Sequence, residues 1–125
     1  MKIELDLHDQ SVNRINSYEK GRIIINGEPY SSSLIVTPTK LISHWGPERC
    51  ADFAPQHFVQ ITALNPEIIL LGTGQHFIYP AQELLAPIYK LNIGLEIMDT
   101  GAVCRCFNLL ASEGREVAAA LLPIT

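Results

Sequence analysis

The sequence lacks a long apolar run, a secreted-type cysteine pattern and an excess of positive charge. Its longest apolar stretches, Ile68–Leu71 and Val117–Leu122, are far shorter than the roughly 20 residues that span a bilayer. Nine Lys and Arg stand against 13 Asp and Glu, and this net charge of −4 argues against a protein that coats nucleic-acid phosphates. The three cysteines have no spacing typical of a disulfide-bonded secreted domain.

The first nine residues, Met1–Asp9, lack the features of a secretory signal. They alternate polar with apolar residues and contain no basic segment followed by an apolar stretch. Ile3, Leu5 and Leu7 would share one face of an edge strand. The absence of a signal, the short apolar runs and the odd number of cysteines together predict a cytoplasmic protein with reduced thiols and no transmembrane segment.

Length and composition predict one globular domain over residues 1–125. The chain is 47% hydrophobic and 18% charged, which excludes a disordered protein. Apolar strand-like runs alternate with amphipathic helices, and this alternation predicts βαβ crossovers. The expected fold class is α/β: a three-layer single domain with a mixed, largely parallel central sheet plus an N-terminal β-hairpin.

The predicted hairpin lies in the first third of the chain. The β-branched run Arg22–Ile25 ends at Asn26-Gly27, a strong turn signal, and Ser33–Thr37 reads as the next strand. Two later runs are typical of central strands buried on both faces, Glu67–Gly72 and Gly94–Asp99. The last predicted strand is Val117–Leu122.

Three helices are predicted from apolar residues spaced three and four apart. The first runs from Phe53 to Leu64 with Pro55 in its first turn. The second contains Leu84–Leu91, where Pro87 predicts a kink or two short helices. The third carries Val103, Cys106, Phe107 and Leu110, is capped by Asp99 or Thr100, and closes at Gly114.

Two glycine turns are the candidate ligand site. In open α/β sheets ligands bind at the carboxyl ends of strands, and backbone N–H groups at a helix start can hold an anion. The first turn, Gly72–Gly74, lacks the third small residue of a dinucleotide fingerprint, so the alternative interpretation is a tight structural turn. At the second turn, Asp99–Gly101, the alternative is ordinary helix capping. The candidate residues for a small anionic ligand are Gly72, Thr73, Gly74, Thr100, Gly101 and Arg105.

Cys104 is the candidate reactive thiol. It lies in the first turns of a predicted helix beside Arg105, an environment that could lower a thiol pKa. The alternative is a buried, inert cysteine. Cys106 belongs to the apolar face, and residues two apart on a helix point in different directions, so the two thiols cannot form a disulfide there.

The sequence assigns no catalytic residue, metal ligand or cofactor. Ser31-Ser32-Ser33 lacks the glycines of a nucleophile elbow. Trp45 is expected to fix its loop to the core, with a partner anchor as the alternative. The four histidines lack metal-ligand spacing: His8, His44, His57 and His76.

Three stretches together resemble a known family. They are Ser33–Pro38 with Trp45 shortly after, Ile69–Gly74, and Met98–Leu121. The resemblance extends from about Arg22 to Pro123 and is to small proteins of unknown function in bacteria, archaea and mitochondria. This family includes the mitochondrial NADH dehydrogenase (complex I) assembly factor 3.

The resemblance implies a compact α/β domain with a mixed sheet, no established enzymatic activity and no cofactor. Its eukaryotic branch implies a helper role in assembling a membrane complex. Thr100, Cys104 and Asn108 match the family pattern. Val103 stands where the family commonly has Ala and Cys106 where it has Thr, so a role that depends on that hydroxyl is absent here.

The primary functional hypothesis is a non-enzymatic binding or assembly-type domain that recognises a protein partner of unknown identity and no nucleic acid. The alternative is a small-anion binder or enzyme that uses the glycine turns. A closed, apolar-filled sheet edge would favour the first; an open pocket where Thr73, Thr100 and Arg105 converge would favour the second. The sequence leaves the oligomeric state open.

Overall fold

A computed structural model of the chain describes residues 12–125, which form two β-sheets and three α-helices. The predicted edge strand at Ile3–Leu7 lies outside the described residues. The strands are β1 (Ile15–Glu19), β2 (Arg22–Ile25), β3 (Glu28–Tyr30), β4 (Leu34–Val36), β5 (Leu41–Ser43), β6 (Ile68–Gly72), β7 (Gly94–Met98) and β8 (Val117–Leu121). The helices are α1 (Pro55–Thr62), α2 (Gln82–Lys90) and α3 (Thr100–Ser112), and a 3-10 turn spans Cys50–Asp52.

The strands divide into a small antiparallel sheet and a larger mixed one. The small sheet has the order β1-β2-β3 and the larger one β5-β4-β8-β6-β7. In the larger sheet β6 runs parallel to β7 and β8, whereas β4 runs antiparallel to β5 and β8. The mixed α/β fold is therefore confirmed. The expectation of a largely parallel sheet is wrong, because half of the strand pairs in the larger sheet are antiparallel.

The turn signal of the predicted hairpin is confirmed, but its second strand is wrong. Asn26 and Gly27 have positive φ angles of 54° and 82° and connect β2 to β3, with Ile25 opposite Glu28. Positive φ at both central residues is the geometry that the tight hairpin turn requires. The Ser33–Thr37 segment instead supplies β4, which lies between β5 and β8 in the larger sheet.

The core lies on both faces of β6. Leu70 packs with the apolar side chains of α3 and of the small sheet, whereas its neighbours Ile69 and Leu71 pack with those of α1 and α2. Such alternation of side chains is a property of any strand, and here both faces are covered. The larger side chains in these clusters are fully buried, among them Phe58, Ile61, Leu85, Ile88 and Phe107.

The three predicted helices are confirmed, and of the two alternatives at Pro87 the structure excludes a pair of short helices, while a kink stays a prediction. Helix α2 runs through Pro87 as one element. Proline removes the hydrogen bond to the carbonyl of Glu83, and both residues are exposed, so water can take the place of the missing donor. Helix α3 begins after Asp99, whose side chain accepts a hydrogen bond from the Ala102 N–H at 2.9 Å.

Strand β7 was predicted to be central and is instead at the edge of the larger sheet. Within residues 12–125 it pairs with β6 alone, and Gly94 and Glu96 are exposed. Among the same residues, no helix is both long and apolar enough to cross a membrane.

Candidate functional site

The two glycine turns meet at the carboxyl end of the parallel strands. Because β6 and β7 are parallel neighbours, the turn after each strand emerges at the same edge of the sheet. The Thr73 N–H donates to the Met98 carbonyl at 2.9 Å, and the Thr100 N–H donates to the Gly74 carbonyl at 2.9 Å. The sequence expectation that both turns lie together is confirmed.

The Thr100 hydroxyl joins the ends of three strands. It accepts a hydrogen bond from the Gly74 N–H at 2.8 Å and donates one to the Leu122 carbonyl at 2.7 Å. The side chain is completely buried. A Cβ atom at Gly72 would lie 2.9 Å from this hydroxyl oxygen and 3.0 Å from the Thr100 Cα, which explains why the position has no side chain.

Thr73 also uses its hydroxyl within the turn. The oxygen donates to the His76 carbonyl at 2.6 Å and accepts from the Ile78 N–H at 3.1 Å. The residue is buried, and Gly74 beside it has a φ angle of +94°, which few other residues adopt. The polar groups of the first turn are therefore engaged in holding the turn itself.

The start of α3 already carries a negative charge. The Asp99 carboxylate accepts the Ala102 N–H and therefore occupies the position at the helix N-terminus where an anion would gain most. This is the capping that the sequence offered as an alternative to ligand binding. A second anion at this place would meet like charge.

Arg105 and Gly101 face a residue that the sequence did not connect with them, Tyr18 of β1. The Arg105 guanidinium donates a hydrogen bond to the Tyr18 hydroxyl and lies 6.0 Å from the ring centre, and this bond raises the pKa of Arg105. A Cβ atom at Gly101 would lie 2.8 Å from Cε1 of the same ring. Four of the candidate residues, Gly72, Thr73, Gly74 and Thr100, thus lie together at the carboxyl edge of the sheet. Arg105 is instead hydrogen-bonded to Tyr18 of β1. Ligand binding by these residues stays a prediction.

Arg105 acts to lower the pKa of the Cys104 thiol, as expected, but burial has the larger effect and the net shift is upward. Cys104 is buried among the apolar residues that pack against α3, and this burial raises its pKa to about 12, which outweighs the nearby Arg105 charge. Arg105 itself is exposed on the next face of the helix. At neutral pH the thiol is therefore protonated, the form that does not act as a nucleophile.

Trp45 fixes its loop to the core, as its favoured interpretation predicts. The side chain is buried, and its indole N–H donates to the His57 carbonyl at 3.1 Å. The rings of Phe53 and His57 lie about 6 Å away. It is therefore not available as a partner anchor in this conformation.

A cavity of about 300 Å³ lies at the opposite end of α3 from the glycine turns. Asn108 shapes it by holding β1, since its amide accepts from the Ile15 N–H at 2.9 Å and donates to the Ile15 carbonyl at 2.8 Å. No sequence motif indicated this cavity. Its polar lining includes Asn13, Arg14, Thr39, Asn108, Ser112 and Arg115.

A row of exposed apolar side chains follows the first glycine turn. Phe77, Ile78 and Tyr79 are 58%, 48% and 57% exposed, and Tyr89 of α2 is 51% exposed. The hydroxyls of Tyr79 and Tyr89 lie 3.2 Å apart, which raises the pKa of Tyr89, and the rings of Phe77 and Tyr79 are 6.5 Å apart. We call these four residues the aromatic strip. The sequence signal was present, since three consecutive large apolar residues lie in a loop between Gly74 and Pro80.

Comparison with known proteins gives matches over most of the chain. A family model described as "Protein of unknown function (DUF498/DUF598)" matches residues 15–122. A "13 kDa major membrane protein" of Francisella tularensis subsp. holarctica is 32% identical over 106 residues, which cover 84% of this chain and 86% of that protein. The human NADH dehydrogenase (ubiquinone) 1 alpha subcomplex assembly factor 3 is 30% identical over 111 residues, or 87% of this chain. The match covers 60% of the length of that assembly factor.

Solved structures agree with this fold. A crystal structure of a Bordetella parapertussis protein has a TM-score of 0.85 and 33% identity, covering 90% of this chain and 97% of that one. A solution structure of a Bordetella pertussis protein, described as an Mth938-like domain, has a TM-score of 0.79 and 28% identity, covering 90% and 87%. These chains share its fold and, in part, its sequence.

Proposed function

The chain belongs to the family described as "Protein of unknown function (DUF498/DUF598)", and on that premise we propose that it is a protein-binding domain that helps a larger complex to assemble. In this proposal it recognises a partner protein and catalyses no reaction. The assembly-factor names of several relatives support such a role. Since the chain spans about 60% of the length of those relatives, their partners are not transferred to it.

The aromatic strip is the observation that carries this proposal. Exposed large apolar side chains that touch one another are typical of protein interaction sites, and single scattered ones are not. Tyrosine is enriched among the residues that dominate binding energy, because its ring buries a large area while its hydroxyl can still donate a hydrogen bond. The strip lies on a turn that Thr73 holds by hydrogen bonds to His76 and Ile78, so little conformational entropy of this loop is lost when a partner binds.

A small anionic ligand at the glycine turns is the alternative, and the local geometry supports it less. The hydroxyls of Thr73 and Thr100 are bonded within the protein, and Asp99 occupies the helix N-terminus. Calorimetric titration with phosphate, sulfate and nucleotides tests this alternative directly. We expect no binding at millimolar concentrations, and a stoichiometric heat signal would favour the alternative.

Affinity purification from the native cell tests the proposal. We expect the tagged chain to recover a specific partner and the double variant Phe77→Ser/Tyr79→Ser to lose it. Leu109→Ser is the matched control, because Leu109 of α3 is 61% exposed and lies outside the strip. Recovery of no partner above background, or equal loss with the control variant, would contradict the proposal.

We also propose how the layers of the fold are arranged and where in the cell the protein is located. The proposal takes residues 1–125 as one domain of three layers, supported by the separate packing of α3 and of α1 with α2 on opposite faces of β6. It places the protein in the cytoplasm. Cell fractionation is a demanding test, because one relative is named a membrane protein.

A further inference from the structure

The outer edge of β7 carries backbone groups that no other strand within residues 12–125 uses. The Gly94 N–H donates to the Glu67 carbonyl at 3.0 Å, and the Met98 carbonyl accepts from Thr73, so these two residues face β6. In a parallel pair, alternate residues direct both backbone groups to the same neighbour. The N–H and carbonyl groups of Leu95 and Ile97 therefore point away from the sheet.

The aromatic strip begins at one end of this edge. The Thr73 N–H donates to the Met98 carbonyl at 2.9 Å, and the Thr73 hydroxyl oxygen accepts the Ile78 N–H at 3.1 Å. Two hydrogen-bond contacts thus connect the carboxyl end of β7 to the middle of the strip.

The strip continues along the flank of α2 that lies nearest this edge. Leu85 and Ile88 are buried beneath the helix, and Tyr89 follows about 100° around it from Ile88. In a right-handed β6–α2–β7 crossover, the hand that such units almost always have, this flank lies over β7 and away from α1. An added strand at β7 would therefore lie beneath Tyr89 and its hydrogen-bonded neighbour Tyr79.

The charge of Glu96 determines what kind of strand fits. Glu96 is exposed at the centre of β7, on the opposite face of the sheet from Leu95 and Ile97. If β7 of a second copy paired antiparallel with Leu95 opposite Ile97, Glu96 would lie directly opposite its own copy. Like charges in that position are destabilising, whereas a lysine or arginine there forms a favourable cross-strand pair.

We propose that β7 binds an extended segment of the partner protein as an added strand, in which a basic residue lies between two apolar residues. The basic residue pairs with Glu96, and the apolar residues lie on the side of Leu95, Ile97 and the aromatic strip. Backbone hydrogen bonds from such strand addition supply affinity, and the alternating side chains supply specificity. This inference rests on the proposed function, because it names the class of segment that the partner must present.

A labelled peptide tests the proposal without knowledge of the partner. The probe is a fluorescein-labelled peptide of sequence Ser-Val-Thr-Val-Lys-Val-Thr-Phe-Ser, titrated by fluorescence anisotropy with hydrogen exchange followed by NMR. We expect binding that protects the amides of Leu95 and Ile97, and about fivefold weaker binding when glutamate replaces the lysine of the peptide. Failure to bind at millimolar concentration, or binding without protection of these amides, would overturn the proposal.

A charge exchange supplies the matched control. Glu96→Lys is expected to weaken binding of the lysine peptide and to strengthen binding of the glutamate peptide. Glu28→Lys makes the same charge change on exposed β3 and should alter neither preference. Equal effects of the two variants would show that net charge alone is responsible and would overturn the specific pairing.

Two further outcomes separate this inference from the proposed function. Protection of Leu95 and Ile97 amides without peptide, together with a dimer by analytical ultracentrifugation, would assign the edge to a second copy and overturn the inference. If purification from the native cell recovers the same partner with the wild-type chain and with Glu96→Lys, while the Phe77→Ser/Tyr79→Ser variant loses it, the proposed function stands and strand addition fails.

Discussion

Thr100 and Gly74, 26 residues apart in sequence, hold each other through two hydrogen bonds: the Gly74 N–H donates to the Thr100 hydroxyl, and the Thr100 N–H donates to the Gly74 carbonyl. The same hydroxyl donates to Leu122 after β8. These bonds fix the turn from which the aromatic strip extends. The residues that suggested a ligand site therefore act as the frame of a proposed protein-binding surface.

Replacing Thr100 by valine should destabilise the fold. Valine keeps the shape but leaves the Gly74 N–H and the Leu122 carbonyl without this partner in a buried place. An unsatisfied buried polar group costs about 1–3 kcal/mol, so we expect a loss of about 2–4 kcal/mol in the free energy of unfolding measured with urea. Thr100→Ser keeps the hydroxyl and should cost about 1 kcal/mol. Equal losses for the two variants would mean that the hydroxyl is not what holds the turn.

Gly101→Ala should lower the free energy of unfolding of the wild-type protein but raise it in a Tyr18→Ala variant. In the wild type the new methyl group would lie 2.8 Å from the Tyr18 ring, and such overpacking costs about 1–3 kcal/mol. In a Tyr18→Ala background the clash is gone, and alanine is the better helix former by about 1 kcal/mol. Urea unfolding of the four proteins in this cycle measures the coupling. Additive effects would contradict the contact.

The Cys104 thiol should resist alkylation in the folded protein. Because burial raises its pKa to about 12, almost none of it is thiolate at pH 7.5. We expect iodoacetamide to leave Cys104 unmodified over a period that labels it fully in urea, as measured by tandem mass spectrometry. Rapid labelling of Cys104 in the folded state would restore the reactive-thiol hypothesis.

The Glu67 carboxylate should make the free energy of unfolding decrease at acidic pH. It accepts hydrogen bonds from the Glu116 N–H at 2.9 Å and from the Arg115 side chain at 3.1 Å, and these lower its pKa. A lowered pKa in the folded state contributes stability above the unfolded-state value of about 4.3, and this contribution is lost as the pH falls through the folded value. Glu67→Gln should therefore flatten the loss of stability on acidification. An unchanged profile would rule out this contribution.

The elements that sequence alone could predict are those with a local cause. Proline at position 55 and apolar residues at helical spacing were enough for α1, and the apolar run Ile68–Leu71 was enough for β6. The Asn26-Gly27 turn was also a local signal. Its partner strand was missed because β3 contains Pro29, a residue that is unusual in strands.

What could not be predicted depends on contacts between distant residues. Tyr18 lies 83 positions before Gly101, and nothing in either segment indicates that they touch. The composition of β7 resembles that of a central strand, but its place at the edge is set by the order of the other strands. The sequence left the environment of Cys104 open for the same reason, since its neighbour Arg105 faces β1 while the thiol faces the core.

Site-specific photo-crosslinking in the native cell tests the central claim most directly. A photoreactive phenylalanine analogue at position 77 samples the aromatic strip, and the same analogue at position 109 samples an equally exposed site on α3. The account predicts one discrete crosslinked partner from position 77 that is absent from position 109. Crosslinks of equal pattern from both positions, or none from position 77, would contradict it.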